Sequence, residues 1–255
     1  MVKRARYSVL VALLAVLMVG LTSCNGGKVG KQATPAAETV TETAGMTAEE
    51  QGAYDRVFAM IIKARDEHAS RLIINEKHLS RLPEDIGALT ELAGLFIGDT
   101  NISTLPPEIG KLAALESLLI NNSPLKALPR EIGQLGRLDT LMVSNCQLLS
   151  LPPEIGNLSN LRHMILDENK ICSLPRQIIQ LTKLNSIDLR ENQFKTLPSW
   201  ITEMNMDIAC QVRSHPQLIN LHGNPLEEPP IEIVKQGNAA IKQYFEDKGE
   251  EKSEN

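Results

Sequence analysis

The sequence predicts an α/β solenoid with parallel strands on a concave face and a helical cap at each end. The first observation is a 23-residue internal repeat, which starts at Ala69 and then returns a leucine once per period, at Leu92, Leu115, Leu138, Leu161 and Leu184. The second is an alternating apolar pair in each unit, such as Leu118 and Ile120, which has the two-residue period of a short strand. The third is a set of matching polar and glycine columns between those strands. Together they predict six regular units and a degenerate terminal unit over residues 69–226.

The columns between the strands have a structural explanation. The ninth position of each unit is small or polar, and we expect its side chain to satisfy backbone groups in the turn after the strand; it reads Lys77, Thr100, Ser123, Cys146, Asn169, Asn192 and Asn224. The glycine column indicates either a turn with positive φ or close packing of backbone segments; it consists of Gly87, Gly110, Gly133 and Gly156.

The complete unit, LxxLxLxxNxL followed by LPxEIGxL, resembles the leucine-rich repeats of the Ras-suppressor and plant intracellular Ras-group families and of Roco proteins. The resemblance implies a horseshoe of parallel strands that binds partners. It does not extend to the Roco GTPase, because the chain has no GxxxxGK[ST] loop. Residues 221–226 and 229–233, followed by Gly237, Ala240, Ile241 and Tyr244, are similar to the terminal unit of many bacterial members. This resemblance implies that the array ends there and that residues 227–255 form a C-terminal cap and a polar tail.

Both ends of the repeat array carry local signals. Thr47 and Glu50 form a capping box, and apolar residues with helical spacing follow it, which predicts an N-terminal capping helix over residues 47–68. Near the other end, the terminal unit starts nine residues later than the period requires. We expect these extra residues, within 204–215, to form a protruding loop.

The first residues predict export and lipidation. A basic start, an apolar run over residues 9–21 and then Leu21-Thr22-Ser23-Cys24 make residues 1–24 a signal peptide that resembles those of bacterial lipoproteins. The resemblance implies acylation of Cys24 and an envelope location. The outer membrane is favoured because Asn25, rather than Asp, follows the cysteine. The alternative is an uncleaved signal anchor. Residues 25–46 are rich in Gly, Ala and Thr and predict a flexible tether.

Composition argues against several other kinds of partner. The net charge is -5 and aromatic residues make up 3% of the chain, which disfavours nucleic acid as a partner. No cofactor or metal is expected, because Cys210, His215 and His222 match no familiar zinc spacing. With Cys24 assigned to lipid, Cys146, Cys172 and Cys210 are odd in number, so they cannot all be paired. A bridge between Cys146 and Cys172 is conceivable.

The strand residues that point away from the core are the candidate binding surface. Five consecutive strands carry an apolar side chain at the fifth position of the unit, and such a stripe is either an interaction site or a shield for the strand backbone. The face then becomes polar and charged towards the last units. The candidate partner-binding residues are Ile73, Phe96, Leu119, Asn121, Met142, Ile165, Asp167, Asp188 and Arg190.

We therefore expect a non-enzymatic, monomeric module that binds a protein or peptide on the concave face and meets the membrane only through its lipid. One alternative is a carbohydrate-binding surface lipoprotein, which is disfavoured because Phe96 is the one aromatic residue on that face. Another is an enzyme that uses Asp167, Glu168, Asp188 and Glu191 as acid and base. Repetition alone explains paired carboxylates on adjacent strands, so the sequence favours binding over catalysis.

Overall fold

The computed structural model describes residues 45–204, 206–210 and 217–249. The expected signal peptide, the lipidated Cys24 and most of the expected tether lie outside these residues, as does the end of the polar tail. Within the part that is described, no helix is both long enough and apolar enough to cross a membrane.

One parallel sheet runs through the repeats. Its strands are β1 (Arg71–Ile74), β2 (Gly94–Gly98), β3 (Ser117–Asn121), β4 (Thr140–Ser144), β5 (His163–Ile165), β6 (Ser186–Asp188), β7 (Asp207–Ala209) and β8 (Leu218–Asn220). They lie in the order β1-β2-β3-β4-β5-β6-β8-β7, and neighbouring strands from β1 to β6 pair at a separation of one repeat, as in Leu118 with Leu141. Inward-facing side chains of these strands join one continuous hydrophobic core, as expected for units that cannot bury a core alone.

Each LPxEIGxL segment forms a short 3₁₀ helix, and the glycine column lies between successive helices. A Cβ built on Gly133 would lie 2.5 Å from the carbonyl oxygen of Glu154, in the next unit. None of the four glycines has a positive φ, so close backbone packing is the correct explanation. The six 3₁₀ helices are Glu84–Ala88, Pro107–Lys111, Arg130–Gln134, Pro153–Asn157, Arg176–Gln180 and Ser199–Glu203.

The asparagines of the ninth position tie neighbouring units together, as expected. The Nδ2 of Asn192 donates to the carbonyls of Leu166 and Leu189, at 2.9 and 3.1 Å. Its Oδ1 accepts the backbone N–H of Ile171 at 3.0 Å. Asn169 and Asn224 make matching contacts. Each buried amide therefore satisfies groups that the turn would otherwise leave unpaired.

Helices are present at both ends of the sheet, as the sequence predicts. Helix α1 (Ala48–Asp66) begins with the expected capping box, in which Glu50 N–H donates to Thr47 and Thr47 N–H donates to Glu50. It buries Tyr54, Val57 and Ile61 against the first repeat, whereas Phe58 and Ile62 are only partly buried. At the C-terminus, helices α2 (Ile231–Val234) and α3 (Asn238–Asp247) follow the last strand.

The insertion before the terminal unit is not simply a protruding loop, so that expectation is wrong in part. Its residues include β7, which pairs in parallel with the outer edge of β8. The side chain of Asn238 then covers the open edge of β7: its Nδ2 donates to the Met206 carbonyl at 2.7 Å, and its Oδ1 accepts the Ile208 N–H at 3.1 Å. The inserted strand thus extends the sheet beyond the repeats, and Asn238 shields backbone groups that would otherwise be exposed.

Candidate functional site

The candidate site is the strand face, which we define as the side chains at positions two, three, five, seven and eight of each unit. Strand pairing places the fifth-position residues side by side, one per strand from β1 to β6 and then β8. In spatial order they are Ile73, Phe96, Leu119, Met142, Ile165, Asp188 and Asn220. The sequence therefore locates the apolar stripe correctly.

The accessibility of this stripe varies from strand to strand. Ile73 is 48% exposed, and Phe96 and Ile165 are partly exposed. Leu119 and Met142 are each only 6% exposed, because parallel strands lie ~4.8 Å apart and large neighbouring side chains cover one another. At these two positions the burial favours the second of the two alternatives, a shield for the strand backbone. The most exposed side chain of the stripe, Ile73, lies on β1 at one edge of the sheet, next to Phe96 on β2.

Glycine lets the ring of Phe96 lie against the sheet. A Cβ on Gly98 would lie 2.9 Å from Cε1 of Phe96 and 2.6 Å from Oδ1 of Asn121. The Asn121 oxygen is buried and accepts no hydrogen bond from the described residues. Asn121 therefore packs beside Gly98 instead of presenting this oxygen to solvent, which makes it a weaker contact residue than the sequence suggested.

The charged candidates do come together, at the carboxyl ends of β5 and β6. Nε of Arg190 donates to both carboxylate oxygens of Asp188, at 2.7 and 2.9 Å, and its guanidinium lies 3.9 Å from the carboxylate of Asp167. Asp167 also accepts a hydrogen bond from the Ser144 hydroxyl at 2.6 Å. The Asp188 and Arg190 side chains are 21% and 17% exposed, so this charged group is largely buried.

Burial raises the pKa values of the carboxyl groups in this charged group. Desolvation and the adjacent Asp167 carboxylate raise the pKa of Asp188 to about 7, although the Arg190 backbone N–H acts in the opposite direction. Desolvation likewise raises the pKa of Asp167. The pKa of the exposed Glu168 is also raised, by desolvation and by the charges of Asp167 and Glu191. The negative charge at this end of the strand face is therefore only partly compensated by Arg190.

The eighth position contributes a row of exposed residues whose backbone conformation the sequence analysis missed. All five have φ between 48 and 55°, in the left-handed region. The signal was present, because Asn and Asp tolerate this conformation better than other non-glycine residues. Side-chain hydrogen bonds join three of them, from Asn145 to Asn122 and from Asn122 to Asp99. The row is Asp99, Asn122, Asn145, Glu168 and Glu191.

The cysteines and histidines form no second centre in the described residues. Cys146 is buried, Cys172 is exposed, and both are free thiols, so the conceivable bridge between them is absent. Nδ1 of His222 lies 3.2 Å from the backbone oxygen of Cys210, and His215 lies outside the described residues. No three potential metal ligands lie close enough together in the described chain to hold a metal ion.

A cavity of about 370 Å³ lies at the C-terminal end of the sheet, between β7 and the segment that joins α2 to α3. Ile208, Cys210, Leu218, Lys235 and Asn238 are among its lining residues. The Asn238 side chain already forms hydrogen bonds with the open edge of β7, so the residues that line this cavity are chiefly part of the C-terminal cap. The strand face remains the stronger candidate site.

Comparison with known proteins supports this fold. A leucine-rich repeat family model matches residues 136–194. Among curated proteins, none matches the sequence significantly. The leucine-rich repeat domain of the type III effector XopL is 23% identical, with a TM-score of 0.60, over 75% of this chain and 65% of that one. A leucine-rich repeat protein of Leptospira interrogans is 27% identical, with a TM-score of 0.43, over 66% of this chain and 56% of that one.

The present chain spans less than two thirds of the length of either of these two structures. The repeated strand and 3₁₀-helix units, the parallel sheet and the terminal helices define a leucine-rich-repeat solenoid. Such domains generally serve as protein-interaction modules.

Proposed function

We propose that this chain is a binding module of the bacterial cell envelope, which captures a protein or peptide partner on its strand face and does not catalyse a reaction. A lipid on Cys24 anchors it, in the outer membrane rather than the inner one. Residues 25–46 act as a tether that holds the repeats at the membrane surface, roughly 25 Å of coil by random-chain scaling.

One observation carries the binding role: the strand face joins an accessible apolar end to a charged end on a single rigid sheet. Ile73 is one of two large apolar side chains that are prominently exposed among the described residues, and the carboxylates beyond β5 lie on the same face. Exposed apolar surface with polar surroundings is characteristic of interaction sites. Asp167 and Asp188 are engaged by Ser144 and Arg190, which favours a structural and recognition role over acid–base catalysis.

Site-specific photo-cross-linking tests the binding role directly. A photoreactive amino acid replaces Ile73 in the full chain, and irradiation is carried out on intact cells that express it. The matched control carries the same amino acid at Leu149, which is 52% exposed and lies outside the strand face. We expect a discrete protein adduct from position 73 and none from position 149.

The double variant Ile73→Glu/Phe96→Glu completes the test, because it places charge on the apolar end without touching the buried Leu119 and Met142. The double variant should no longer bind the protein that forms the adduct with position 73. Its thermal unfolding midpoint should be the same as that of the parent. Equal adducts from positions 73 and 149, or full retention of the partner by the folded double variant, would refute a binding role for this face.

The anchor has its own experiment. Cells expressing the full chain are fed an alkyne-labelled fatty acid, and the protein is isolated and examined for the label. We expect labelling that Cys24→Ser abolishes and Cys172→Ser leaves intact, together with recovery of the parent in outer-membrane fractions. Absence of label from the parent would overturn the lipid anchor without affecting the proposed binding surface.

A further inference from the structure

The two ends of the strand face differ in chemistry, and this difference constrains the partner. Resting on the proposed binding role of this face, we infer that the partner is a basic peptide segment of a protein, with its Lys or Arg side chains over β5 and β6 and its apolar side chains over β1 and β2. The segment lies across the strands rather than along one of them.

The acidic end is built from two adjacent units. Glu168 and Glu191 follow β5 and β6 at equivalent positions of the repeat, and both are exposed. Asp167 precedes Glu168 and Arg190 precedes Glu191 in the chain, and the Arg190 guanidinium lies 3.9 Å from the carboxylate of Asp167 and 2.5 Å from that of Asp188. The charge of Glu191 also acts on this guanidinium, so carboxylates outnumber cations at this end. Charges held close to a largely buried group are screened less by solvent than charges on an open surface.

Electrostatic repulsion among these carboxylates supports a positively charged ligand. The charges of Asp167 and Glu191 help to raise the pKa of Glu168, so ionisation of these groups is mutually unfavourable. A Lys or Arg side chain placed above Glu168 and Glu191 would relieve that repulsion. An acidic peptide or an anionic membrane surface would increase it, so neither suits this end of the face.

The backbone sets the direction in which the two exposed glutamate side chains leave the chain. Both have φ above 50°, in the left-handed region, which the surrounding repeat must impose on them. Gly223 lies beside Glu191, and a Cβ at that position would come within 2.6 Å of its carboxylate. Gly223 thus leaves the room that the Glu191 carboxylate occupies, so this carboxylate remains at the edge of the strand face.

The apolar end lies within reach of the same ligand. Phe96 on β2 and Glu168 after β5 are three strand steps apart across the sheet, ~14 Å at ~4.8 Å between strands, and three positions apart along the strand direction, ~10 Å at ~3.3 Å per residue. An extended peptide covers the resulting distance of roughly 17 Å with about five or six residues. Between the two ends lie Leu119 and Met142, which are only 6% exposed and leave the middle of the face without large protruding side chains.

Selection from a displayed library of random peptides tests the inference. The full chain is solubilised in detergent and immobilised, and enriched peptides are synthesised and their binding measured. We expect enrichment of peptides that combine Lys or Arg with large apolar residues. Their affinity should fall by about tenfold for Glu168→Gln/Glu191→Gln, and rising salt should weaken binding to the parent protein.

The matched control is Glu232→Gln/Glu246→Gln, which removes the same charge from exposed positions in α2 and α3 and should leave affinity unchanged. Peptides that bind the strand face, as shown by loss with Ile73→Glu/Phe96→Glu, but carry no basic bias would overturn the inference and leave the binding role standing. If no enriched peptide loses affinity with either strand-face variant, both the inference and the proposed binding role of the strand face are contradicted. Equal losses with the control pair would also overturn the inference.

Discussion

Arg190 and Asp188 lie two residues apart, at the end of β6, and form a side-on ion pair in which Nε of the guanidinium donates to both carboxylate oxygens. The pair is largely buried, at 17% and 21% exposure. Ion pairs of this kind give modest net stability, because desolvation offsets the attraction between the charges. Their value here is geometric, since the pair fixes the positions of two side chains at the end of β6, directly before the exposed Glu191.

The first prediction concerns the pH dependence of stability. The pKa of Asp188 is about 7 in the folded chain, against an ordinary value of 3.8, so the folded state holds this proton more tightly than the unfolded state. Between about pH 4 and pH 7 the folded chain therefore binds more protons, and the free energy of unfolding decreases as the pH rises.

Thermal unfolding from pH 4 to pH 8 measures this effect. Asp188→Asn is uncharged at every pH, so the variant should show a much smaller decrease in stability over the same interval than the parent. A variant that retains the full slope would show that another group is responsible.

The second prediction concerns the close contact between successive 3₁₀ helices. Gly133→Ala would place a methyl group 2.5 Å from the Glu154 carbonyl oxygen, so the helices have to separate. We expect a loss of about 1–3 kcal/mol in the free energy of unfolding by urea. Gly136→Ala is the matched control, because a Cβ there meets no atom within 4 Å, and it should change stability by less than about 0.5 kcal/mol. Equal effects of the two variants would contradict the packing explanation.

The third prediction concerns the buried asparagines. Asn192→Ala removes the acceptor of the Ile171 N–H and the donor to the Leu166 and Leu189 carbonyls. Buried backbone groups left without partners should cost about 2–4 kcal/mol in urea unfolding. Gln193→Ala, at the exposed neighbouring position, should cost less than about 0.5 kcal/mol. A small loss at Asn192 would mean that water or local rearrangement replaces the lost hydrogen bonds.

The repeat determined most of what could be predicted from the sequence. A 23-residue period fixes which residues pair, because each strand begins at the same point of its unit, and the pairing of Leu118 with Leu141 follows directly. The same logic located the buried asparagine column and the fifth-position stripe. It also grouped Asp167 with Asp188, because adjacent parallel strands bring equivalent ends together.

The 23-residue period did not predict features that depend on packing between units. Ile208 lies in a three-residue strand with no repeat signal of its own, and its pairing with Ile219 places β7 outside a strand that comes later in the chain. Leu119 and Ile73 occupy the same position of the unit, yet one is 6% and the other 48% exposed. Burial depends on the neighbouring strands, and Ile73 lies on the first strand of the sheet, where only one side is flanked by another strand.

The last prediction concerns the three cysteines of the described chain. Cys172 is exposed, whereas Cys146 and Cys210 are buried. Burial raises the pKa of the Cys146 thiol to about 11 and also raises that of Cys210. The thiolate is the reactive form, so burial both blocks access to these two thiols and suppresses their ionisation near neutral pH. Brief treatment of the folded full chain with a maleimide, followed by peptide mapping, should find Cys172 modified and the other two intact.

Unfolding in denaturant before treatment should expose all three thiols, which provides the internal control for the mapping. Cys172→Ser should leave the folded protein with no rapid modification among these positions. Rapid modification of Cys146 in the folded chain would contradict its burial, because reaction there requires the ninth-position turn to open and its contact with the Ser144 carbonyl to break. The ratio of the Cys146 rates in folded and unfolded protein then reports how often that turn opens in the native state.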